Sequence, residues 1–282
     1  MEEAIKKAHV LIEALPYIKK FHRKIIVIKY GGSILSDEKI RRGVLEDIVF
    51  LNFMGLRPLL VHGGGANISE RMRSQGKKAK FVDGLRVTDK KTLEMVEEEL
   101  EKLNAVIVRE LSELGARAAG LNGRKIIVVK KKEAKINLGF VGEIVNIKTK
   151  TVLEGLTNDC VAVVLPLGRG IDGNTYNINA DEAAASIASA IAAEKLVLLT
   201  NVKGITRNIE DPHSFIPTLT IKEAEGLLKD KIIQEGMIPK VRACIHALHQ
   251  GVKKTHIIDA RMPHGLLLEI FTDKGVGTEI IR

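Results

Sequence analysis

Tryptophan is absent from this 282-residue chain, and aromatic residues make up only 4% of it. The chain therefore lacks most of the flat side chains on which proteins stack single-stranded bases. Its net charge of +9 would favour a nucleic-acid partner, but the lysines are scattered, and their densest runs lie at 77–80 and 130–132. We interpret these runs as solvated edges, or as charge that attracts polyanionic substrates, and we expect no nucleic-acid partner.

Long apolar runs and cysteines are also scarce. The longest apolar runs, such as 161–167, have the length of strands and fall far short of the ~18 residues needed to span a bilayer. The only cysteines, Cys160 and Cys244, have neither CxxC nor zinc-type spacing, which is typical of reduced core residues. The start of the chain lacks the basic-then-apolar order of a signal peptide. We therefore expect a cytoplasmic protein that binds no membrane.

Three familiar catalytic motifs are missing as well. The chain contains no Walker A sequence, no GxSxG elbow of a serine hydrolase and no HExxH zinc motif. His246 and His249 are three residues apart on a predicted helix, as metal ligands often are. No third ligand lies nearby in the sequence, so we favour packing or surface roles for both and predict no protein metal site.

What the chain does contain is an alternation of apolar strands and helical segments. The predicted strands lie near residues 24–30, 57–62, 126–130, 161–166, 195–200 and 254–259. Helical patterns separate them, which is typical of a mostly parallel sheet with helices on both faces. The sequence thus predicts an α/β fold, an open αβα sandwich with a mostly parallel central sheet, and its 45% hydrophobic residues suffice for a large core.

Three segments modify this plan. Residues 2–21 form an amphipathic helical pattern ahead of the first strand, with a kink predicted at Pro16. Residues 125–147 predict a β-hairpin at one edge of the sheet. The polar segment 168–175 predicts a loop, and it is the best boundary between two lobes. The apolar stripe of the N-terminal helix comprises Ala4, Ala8, Leu11, Leu15 and Ile18.

Two glycine turns follow two of the predicted strands. A strand with Lys29 near its end runs into Gly31 and Gly32, and a second strand runs into the glycines 63–65, after which a helix begins. Glycine lets backbone N–H groups approach an anion closely, and a helix N-terminus adds about half a positive charge. A single pair of glycines is usually only a tight turn. The repetition, with a lysine beside one turn, indicates phosphate binding.

Residues 168–173 match the pattern GxGxxG of a dinucleotide site. In that fingerprint the helix begins within the glycines. Here residues 174–178 intervene before a helix that begins near Asn179. The context therefore argues against a dinucleotide site.

Several polar residues are candidates for ligand binding. Asn177, Asn179 and Asp181 follow a strand, at the place where open α/β sheets bind ligands, although helix capping by Asn179 is an alternative role. Arg86 lies in a glycine-initiated loop, and Lys240 lies at the start of a helix. Each of these two cations could equally be a surface charge.

Seven motifs occur in an order that resembles the amino acid kinase family. They are IIVIKYGGSIL, LLVHGGGANIS, DGLRVTD, LGFVGEIVNI, YNINADEAAA, LLTNVKGI and GMIPKVRACIHAL. The resemblance covers nearly the whole chain from Lys24 to Arg282, and the conjunction of motifs is far more specific than any one of them. It implies phosphoryl transfer from ATP to the side-chain carboxylate of N-acetyl-L-glutamate, yielding N-acetyl-L-glutamyl 5-phosphate, in the second step of arginine biosynthesis.

The resemblance also implies a role for each candidate residue. No covalent enzyme intermediate is expected, because a carboxylate is already a nucleophile at pH 7 and needs only positioning and charge neutralisation. Lys29 and Lys240 would flank the transferring phosphoryl group, and Asp181 would orient both lysines. Arg86 would form a paired contact with the α-carboxylate of the substrate. Asn177 and Asn179 would hold the substrate. Backbone N–H donors would come from Gly31, Gly32, Gly64 and Gly65.

For the nucleotide, the resemblance implies a pocket in a carboxy-terminal lobe, residues 174–282. Mg²⁺ would bridge the phosphates of ATP with few direct protein ligands. The amino-terminal lobe, residues 22–173, would bind the acylated amino acid and carry the intersubunit surface, with residues 139–147 lying over the substrate. The candidate ATP contacts are Gly31, Thr200, Val202, Gly204, Gly236 and Met237.

The segment 1–21 and the ending from Asp259 to Thr278 resemble the arginine-inhibited members of the family. Those members are hexameric rings, trimers of dimers, whose N-terminal helices interlace. The resemblance therefore implies a homo-hexamer inhibited by L-arginine, and it leaves open whether a PII-type signalling protein binds. The alternative role of the helix is packing within its own chain. The candidate arginine contacts are Tyr17, Lys195, His264, Glu269, Gly275 and Gly277, with Glu269 as the partner of the guanidinium.

Two other classes of function stay open as alternatives. Other members of the family act on glutamate, aspartate, carbamate or a nucleoside monophosphate, and the Arg86 loop and residues 177–181 disfavour them. A catalytically silent regulatory or nucleic-acid-binding protein would use the +9 charge, but it would not need Lys29, Lys240 and Asp181 together. The abundance of charged residues would also suit a heat-adapted protein.

Overall fold

The computed structural model describes residues 1–208, 210–233, 236–272 and 275–282, and at positions 3, 4, 6–8, 10, 11, 33 and 212 it describes the backbone alone. The helices are α1 Glu2–Phe21, α2 Glu38–Phe53, α3 Gly65–Ser74, α4 Lys90–Glu113, α5 Gly123–Ile126, α6 Thr149–Gly155, α7 Ala180–Ala190, α8 Ile221–Lys229, α9 Ile238–His249 and α10 Gly265–Phe271. Short 3-10 helices span Ser33–Ser36 and Pro212–Ser214. The strands are β1 Ile25–Tyr30, β2 Arg57–His62, β3 Phe81–Val82, β4 Leu85–Arg86, β5 Arg117–Asn122, β6 Ile127–Lys131, β7 Gly142–Ile147, β8 Cys160–Leu165, β9 Leu167–Gly170, β10 Thr175–Asn177, β11 Lys195–Thr200, β12 Ile205–Thr206, β13 Phe215–Ile216, β14 Thr218–Thr220, β15 Lys254–Asp259 and β16 Thr278–Ile281.

Eight of the described strands form the main sheet, in the order β14-β16-β15-β11-β1-β2-β8-β5. Each neighbouring pair is parallel except β15 and β16, which run antiparallel. The predicted fold class, an α/β sandwich with a mostly parallel central sheet, is confirmed. Strand β1 has β2, the next strand in the chain, on one side and the much later β11 on the other, so the strand order reverses between β1 and β11. Open α/β sheets bind ligands in the crevice at the carboxyl ends of the strands at such a point.

Side chains of the central strand β1 enter two hydrophobic cores, one on each face of the sheet. Ile26, Ile28 and Tyr30 belong to the core that includes residues of α2, α4 and α10. Val27 belongs to the core that includes residues of α7 and α9. Because successive side chains of a strand point to opposite faces, Lys29 lies on the face of Val27, toward α7. Burial on both faces explains the nearly continuous apolar sequence of β1.

A second sheet has the order β10-β9-β6-β7. The predicted hairpin 125–147 is present in it as the antiparallel pair β6 and β7. Its predicted place at an edge of the main sheet was wrong, and so was the placement of strand 126–130 in the main sheet: β6 pairs in parallel with β9 of the second sheet. The predicted loop 168–175 was wrong as well, because most of it forms the antiparallel hairpin of β9 and β10.

One edge strand of the main sheet, β5, was not predicted from the sequence pattern. The sequence RAAGLN has small residues in the middle and no alternation of apolar and polar residues. Small residues are required here because α4 packs closely: a Cβ atom added to Gly120 would collide with the side-chain oxygen of Asn104. The close approach of a helix, and not an apolar stripe, therefore determines this strand.

The predicted N-terminal helix is present as α1, which continues through Pro16. Near the end of α1, Phe21 is buried in the core that includes residues of α2, α4 and α10, and Tyr17 packs against the same core. Ile5, Ile12 and Leu15 are exposed, whereas the side chains of Ala4, Ala8 and Leu11 lie outside the described part of the structure. Among the helices that the structure describes, none is long and apolar enough to cross a membrane.

Candidate active site

The two predicted glycine turns meet at the carboxyl ends of β1 and β2. The N–H of Gly63 donates to the carbonyl of Tyr30 at 2.7 Å, and a Cβ atom on Gly31 would lie 3.2 Å from the Cα of Gly63. The turns therefore pack backbone against backbone, which favours glycine at both positions. Gly32 and residues 63–65 line a cleft of about 200 Å³, while Gly31 is packed behind its wall.

Asp181 lies between two lysines at this cleft. The Nζ atom of Lys29 is 2.9 Å from Oδ1 of Asp181, and the Nζ atom of Lys240 donates to Oδ2 at 3.0 Å. Lys29 comes from β1, Asp181 from the first turn of α7 and Lys240 from the first turn of α9. Three distant segments thus bring together two positive charges and one negative charge, which leaves a net positive site.

Burial and mutual attraction set the charge states of this triad. Burial lowers the pKa of Lys29, the carboxylate of Asp181 opposes that shift, and the charge of Lys240 adds to it. Burial by itself would raise the pKa of Asp181, but the two ammonium groups outweigh burial and hold that pKa below its ordinary value. Asp181 is therefore ionised at neutral pH, and its charge opposes the effect of burial on Lys29.

Helix N-termini add positive potential to the same region. Helix α3 begins at Gly65, directly after the second glycine turn, and α7 begins at Ala180, next to Asp181. Both residues line the cleft. The unpaired N–H groups of a first helical turn favour an anion, so the cleft is suited to phosphate or carboxylate oxygens.

Arg86, on β4, lines the same cleft as Lys29. Its Nη2 atom donates to the carbonyl of Gly65 at 2.8 Å and to the hydroxyl of Ser69 at 2.7 Å. Its guanidinium carbon lies 4.7 Å from the centre of the Phe81 ring. The α3 helix and an aromatic ring thus hold the guanidinium in one orientation.

No carboxylate among the described residues forms an ion pair with Arg86, although this side chain is buried. Burial lowers the pKa of Arg86, because no negative charge compensates for the loss of water. A buried guanidinium held by neutral groups can form paired hydrogen bonds with a carboxylate ligand. The geometry therefore fits the predicted role of Arg86 toward an anionic substrate group.

The two predicted asparagines also line the cleft. Asn179 caps α7, since its Oδ1 atom accepts from the N–H groups of Asp181 at 2.8 Å and Glu182 at 3.1 Å. The Nδ2 atom of Asn177 donates to the hydroxyl of Thr88 at 3.2 Å. Capping occupies the oxygen of Asn179 and leaves its amide NH₂ group for a ligand, so its two suggested roles are compatible.

The predicted nucleotide contacts Thr200, Val202, Gly204, Gly236 and Met237 are not among the residues that line this cleft. Thr200 ends β11 at the same edge of the sheet at which Tyr30 ends β1. Val202 and Gly204 follow in the next loop, where a Cβ atom on Gly204 would come within 2.5 Å of the side-chain oxygen of Thr278. Gly236 and Met237 directly precede α9.

A second cleft, of about 130 Å³, lies between the end of α1 and residues of the strands β11, β14, β15 and β16 of the main sheet. It brings together five of the six residues predicted to bind arginine, namely Tyr17, Lys195, Glu269, Gly275 and Gly277. The sixth, His264, is not among the lining residues. Its Nδ1 atom lies 2.7 Å from Oδ1 of the buried Asp47, and it precedes α10 in a left-handed conformation.

Three ionisable side chains in the second cleft form a continuous chain of close contacts. The Nζ atom of Lys195 lies 3.0 Å from Nε2 of His256, and Nδ1 of His256 lies 2.6 Å from Oε1 of Glu269. The other oxygen of Glu269 accepts from the N–H groups of Val276 at 2.7 Å and Gly277 at 3.1 Å. These bonds tie β11, β15 and α10 to the segment before β16.

The pKa values of Lys195 and Glu269 are both lowered, but by different causes. Burial lowers the pKa of Lys195 to about 8, and the neighbouring charge of Lys254 contributes. Burial would raise the pKa of Glu269, but its hydrogen bond with His256 and its two backbone donors bring that pKa down to about 2. Glu269 is therefore a permanently charged, firmly held carboxylate at one wall of the cleft.

Sequence reasoning missed three buried polar residues around these sites: His62, Thr88 and His256. His62 lies 3.0 Å through Nδ1 from the carbonyl of Gly63 and 3.1 Å through Nε2 from Nδ2 of Asn104. Burial lowers the pKa of His62 to about 4, so the ring is neutral at neutral pH. Its position directly before three glycines was the available signal. Neither Thr88 nor His256 has a comparable signal, because both depend on residues distant in the sequence.

The cleft with Lys29 can stabilise negative charge that develops on a transferring group. Two ammonium groups, backbone N–H donors and helix N-termini converge on one side, and Arg86 offers a fixed guanidinium on the other. Such preorganised donors are the main means by which enzymes promote phosphoryl transfer. The fold and the site therefore define a phosphotransferase arrangement on an open α/β sheet.

The class is shown by sequence comparison. A profile described as the amino acid kinase family matches residues 24–259, and the chain belongs to this family. The resemblance predicted from the seven motifs is thereby confirmed. Acetylglutamate kinase of Petrotoga mobilis is 47% identical over 283 residues, which cover 99% of this chain and 95% of that protein. Acetylglutamate kinase of Methanocaldococcus jannaschii is 45% identical over 295 residues, with 100% and 98% covered.

Solved structures agree on the fold. N-acetylglutamate synthase from Neisseria gonorrhoeae, complexed with coenzyme A and N-acetyl-glutamate, has a TM-score of 0.88 at 26% identity. The match covers 98% of this chain but 63% of the synthase chain, so this chain spans less than two thirds of that protein. Carbamate kinase from Giardia lamblia bound to AMP-PNP has a TM-score of 0.68 at 17% identity, with 92% and 98% covered. The second likeness shows the fold alone.

Proposed function

We propose that this chain phosphorylates the side-chain carboxylate of N-acetyl-L-glutamate with ATP, in arginine biosynthesis. Relatives that are nearly half identical over almost their whole length carry the name acetylglutamate kinase. The observation that carries the proposal is the arrangement of one cleft. Lys29 and Asp181 line it together with Arg86, a buried guanidinium that has no carboxylate partner among the described residues, and Lys240 pairs with the other oxygen of Asp181.

The proposed reaction needs no general base, because the substrate carboxylate is ionised at neutral pH. Arg86 binds the α-carboxylate, and Asn177 and Asn179 hold the rest of the substrate. The side-chain carboxylate then attacks the γ-phosphorus atom of ATP, the bond from that phosphorus to the bridging oxygen breaks, and ADP leaves. Lys29 and Lys240 neutralise the charge on the transferring oxygens, and this stabilisation increases toward the transition state.

Three backbone groups and one carboxylate support the lysines. The N–H groups of Gly32, Gly64 and Gly65 donate to phosphoryl and carboxylate oxygens, and the dipole of α3 strengthens the donation at Gly65. Asp181 holds the ammonium group of Lys29 at 2.9 Å from its Oδ1 atom and that of Lys240 at 3.0 Å from its Oδ2 atom, and the three groups together leave a net positive charge toward the ligand. Its role is orientation, so it takes no proton during the reaction.

ATP is proposed to bind beside Lys240, on the carboxy-terminal lobe of residues 174–282. Thr200, Val202, Gly204, Gly236 and Met237 would contact the nucleotide, with Gly31 behind the phosphates, and residues 22–173 would bind the acylated amino acid. The donor set fits Mg²⁺ held by phosphate oxygens, because Asp181, the carboxylate that lines the cleft, is already paired with two lysines. Mg²⁺ would there neutralise the charge of the phosphates.

Regulation by L-arginine and assembly into a hexamer are part of the proposal. Lys195 and the carboxylate of Glu269 line the second cleft together with Tyr17, so the cleft offers partners for both ends of an amino acid with a cationic side chain. The exposed Ile5, Ile12 and Leu15 leave apolar surface on α1, which the α1 helix of another subunit would cover. A cytoplasmic location stays a prediction from the composition.

An assay of ADP release tests the proposal. The purified chain is supplied with ATP, Mg²⁺ and, in separate reactions, N-acetyl-L-glutamate, L-glutamate, L-aspartate or carbamate. We expect turnover that is fastest by far with N-acetyl-L-glutamate, and trapping of the acyl phosphate with hydroxylamine identifies the product. Faster turnover with one of the other acceptors would identify another activity of the family. Absence of turnover with all four would favour the silent regulatory alternative.

A further inference from the structure

Thr88 is a completely buried residue between the two segments that hold the proposed acyl amino acid. It lies two residues after Arg86, which ends β4, and its backbone is fixed by the segment before β7. Its N–H donates to the carbonyl of Leu138 at 2.9 Å, and its carbonyl accepts from Phe140 at 2.6 Å. The packing is close, because a Cβ atom on Gly139 would collide with the carbonyl oxygen of Thr88. The Thr88 side chain is therefore held in one place independently of its hydroxyl group.

The hydroxyl of Thr88 makes two hydrogen bonds whose directions follow from chemistry. It lies 2.8 Å from the carbonyl oxygen of Arg86, which can only accept, so the single hydroxyl proton is donated there. Its second neighbour, at 3.2 Å, is the amide of Asn177. Because the hydroxyl has no further proton, it must accept from Asn177, and the amide atom facing it must be Nδ2.

This bond fixes the orientation of the Asn177 amide. The Oδ1 atom of Asn177 has no hydrogen-bond partner among the described residues, and Asn177 lines the cleft. Without Thr88 the amide could rotate by half a turn, since amide oxygen and nitrogen have nearly the same shape. With Thr88 the cleft presents an acceptor at this position.

We propose that Thr88 is a positioning residue that locks the Asn177 amide with Oδ1 toward the ligand, so that the cleft selects a substrate with an N–H donor. The inference rests on the proposed function, in which the ligand is an N-acylated amino acid. An amide N–H satisfies the acceptor, whereas an ester oxygen at the same position would leave two lone pairs facing each other. Thr88 thus acts through Asn177, and it touches no reacting atom.

The test compares Thr88→Val with Thr88→Ser. Valine has nearly the same shape but no hydroxyl, while serine keeps the hydroxyl, and neither change affects the backbone bonds to Leu138 and Phe140. We expect Thr88→Val to raise the KM for N-acetyl-L-glutamate by about 5- to 100-fold, the effect of one lost buried hydrogen bond, with the KM for ATP nearly unchanged. Thr88→Ser should stay close to the wild type. Thermal unfolding of both variants identifies any general loss of structure.

A double-mutant cycle and an ester analogue complete the design. If Thr88 acts through Asn177, Thr88→Val should cause little further loss when Asn177 is already alanine. The wild type should discriminate strongly between N-acetyl-L-glutamate and 2-acetoxyglutarate, which has oxygen in place of N–H, and Thr88→Val should reduce this discrimination.

The outcomes separate this inference from the proposed function. A wild type that releases no ADP with N-acetyl-L-glutamate overturns the proposed function, and this inference with it. An active wild type with an unchanged KM in Thr88→Val, or equal losses in Thr88→Val and Thr88→Ser, overturns the inference alone. So do additive effects in the cycle, or a wild type that uses the ester as readily as the amide.

Discussion

Lys29 and Asp181 form an ion pair in which both side chains are buried, with 8% and 6% of their surfaces exposed and 2.9 Å between Nζ and Oδ1. Such a pair is costly to bury, and loss of one partner leaves an uncompensated charge in a medium of low polarity. Lys240, less buried than Lys29, occupies the other carboxylate oxygen. The pair is therefore better explained by the chemistry of the cleft than by stability.

Lys29→Ala and Lys240→Ala should each lower kcat by about 10²- to 10³-fold, because each removes charge stabilisation that increases in the transition state. The KM for N-acetyl-L-glutamate should change much less. Steady-state kinetics with ATP and N-acetyl-L-glutamate measure both constants. Lys253→Ala is a matched control, since Lys253 pairs with Glu194 on an exposed surface. Full turnover of either cleft variant would remove that lysine from the mechanism.

Asp181→Asn should resemble the lysine variants and should also change the pH dependence. The carboxylate opposes the effect of burial on the pKa of Lys29, so its loss lowers that pKa further. Lys29 would then lose its proton at a lower pH, and the residual kcat should decline at a lower pH than in the wild type. A pH profile of kcat measures this shift. A profile with an unchanged alkaline limb would contradict the orienting role of Asp181.

Arg86→Lys should raise the KM for N-acetyl-L-glutamate by about tenfold or more, because lysine keeps the charge but loses the planar pair of donors. The KM for ATP should stay nearly constant. Arg71→Lys serves as a control on the neighbouring helix α3, since Arg71 pairs with Glu98 and Glu99 at the surface. A defect in kcat alone for Arg86→Lys would rule out the substrate-binding role.

Glu269→Gln should destabilise the protein at pH 7 by about 3 kcal/mol. This free energy corresponds to the lowering of the Glu269 pKa from about 4.3 in the unfolded chain to about 2 in the folded protein. A carboxylate whose pKa is lowered in the folded state stabilises that state above its unfolded pKa, and the contribution is lost as the pH falls toward 2. The difference between wild type and variant should therefore shrink between about pH 5 and pH 3. Thermal unfolding across this range tests it, with the exposed Glu225→Gln as control. A difference independent of pH would exclude this origin.

Deletion of residues 1–20 should convert the proposed hexamer into dimers and weaken inhibition by L-arginine, while activity without arginine stays largely intact. The physical reason is the loss of the exposed apolar residues of α1 and of Tyr17 from the second cleft. Light scattering measures the assembly, and an arginine titration of ADP release measures the inhibition. A truncated protein that is still hexameric and equally inhibited would refute the proposal.

Local sequence was sufficient for the central strands and for the two glycine turns. Strand 57–62 and strand 195–200 were predicted with the bounds that the structure has, because each has an apolar centre, PLLV or LVLL, next to a turn. The strand near 126–130 was assigned to the wrong sheet, because an apolar run does not reveal its partner. Strand 117–122 was missed because its small residues give no apolar strand pattern. They are required by the close packing of α4 against the strand.

The amino-acid sequence by itself determined the α/β class, the glycine turns, the capping of α7 by Asn179 and the family, since each depends on residues adjacent in the chain or on motifs in order. Only the tertiary structure decided which charges meet. Lys29, Asp181 and Lys240 lie on three separate elements, and the parallel sheet with its packed helices brings them within 3.0 Å. The same holds for Thr88 and Asn177, which are 89 positions apart in the chain. Ion pairs and hydrogen bonds act over a few ångströms of space, and sequence separation does not encode that distance.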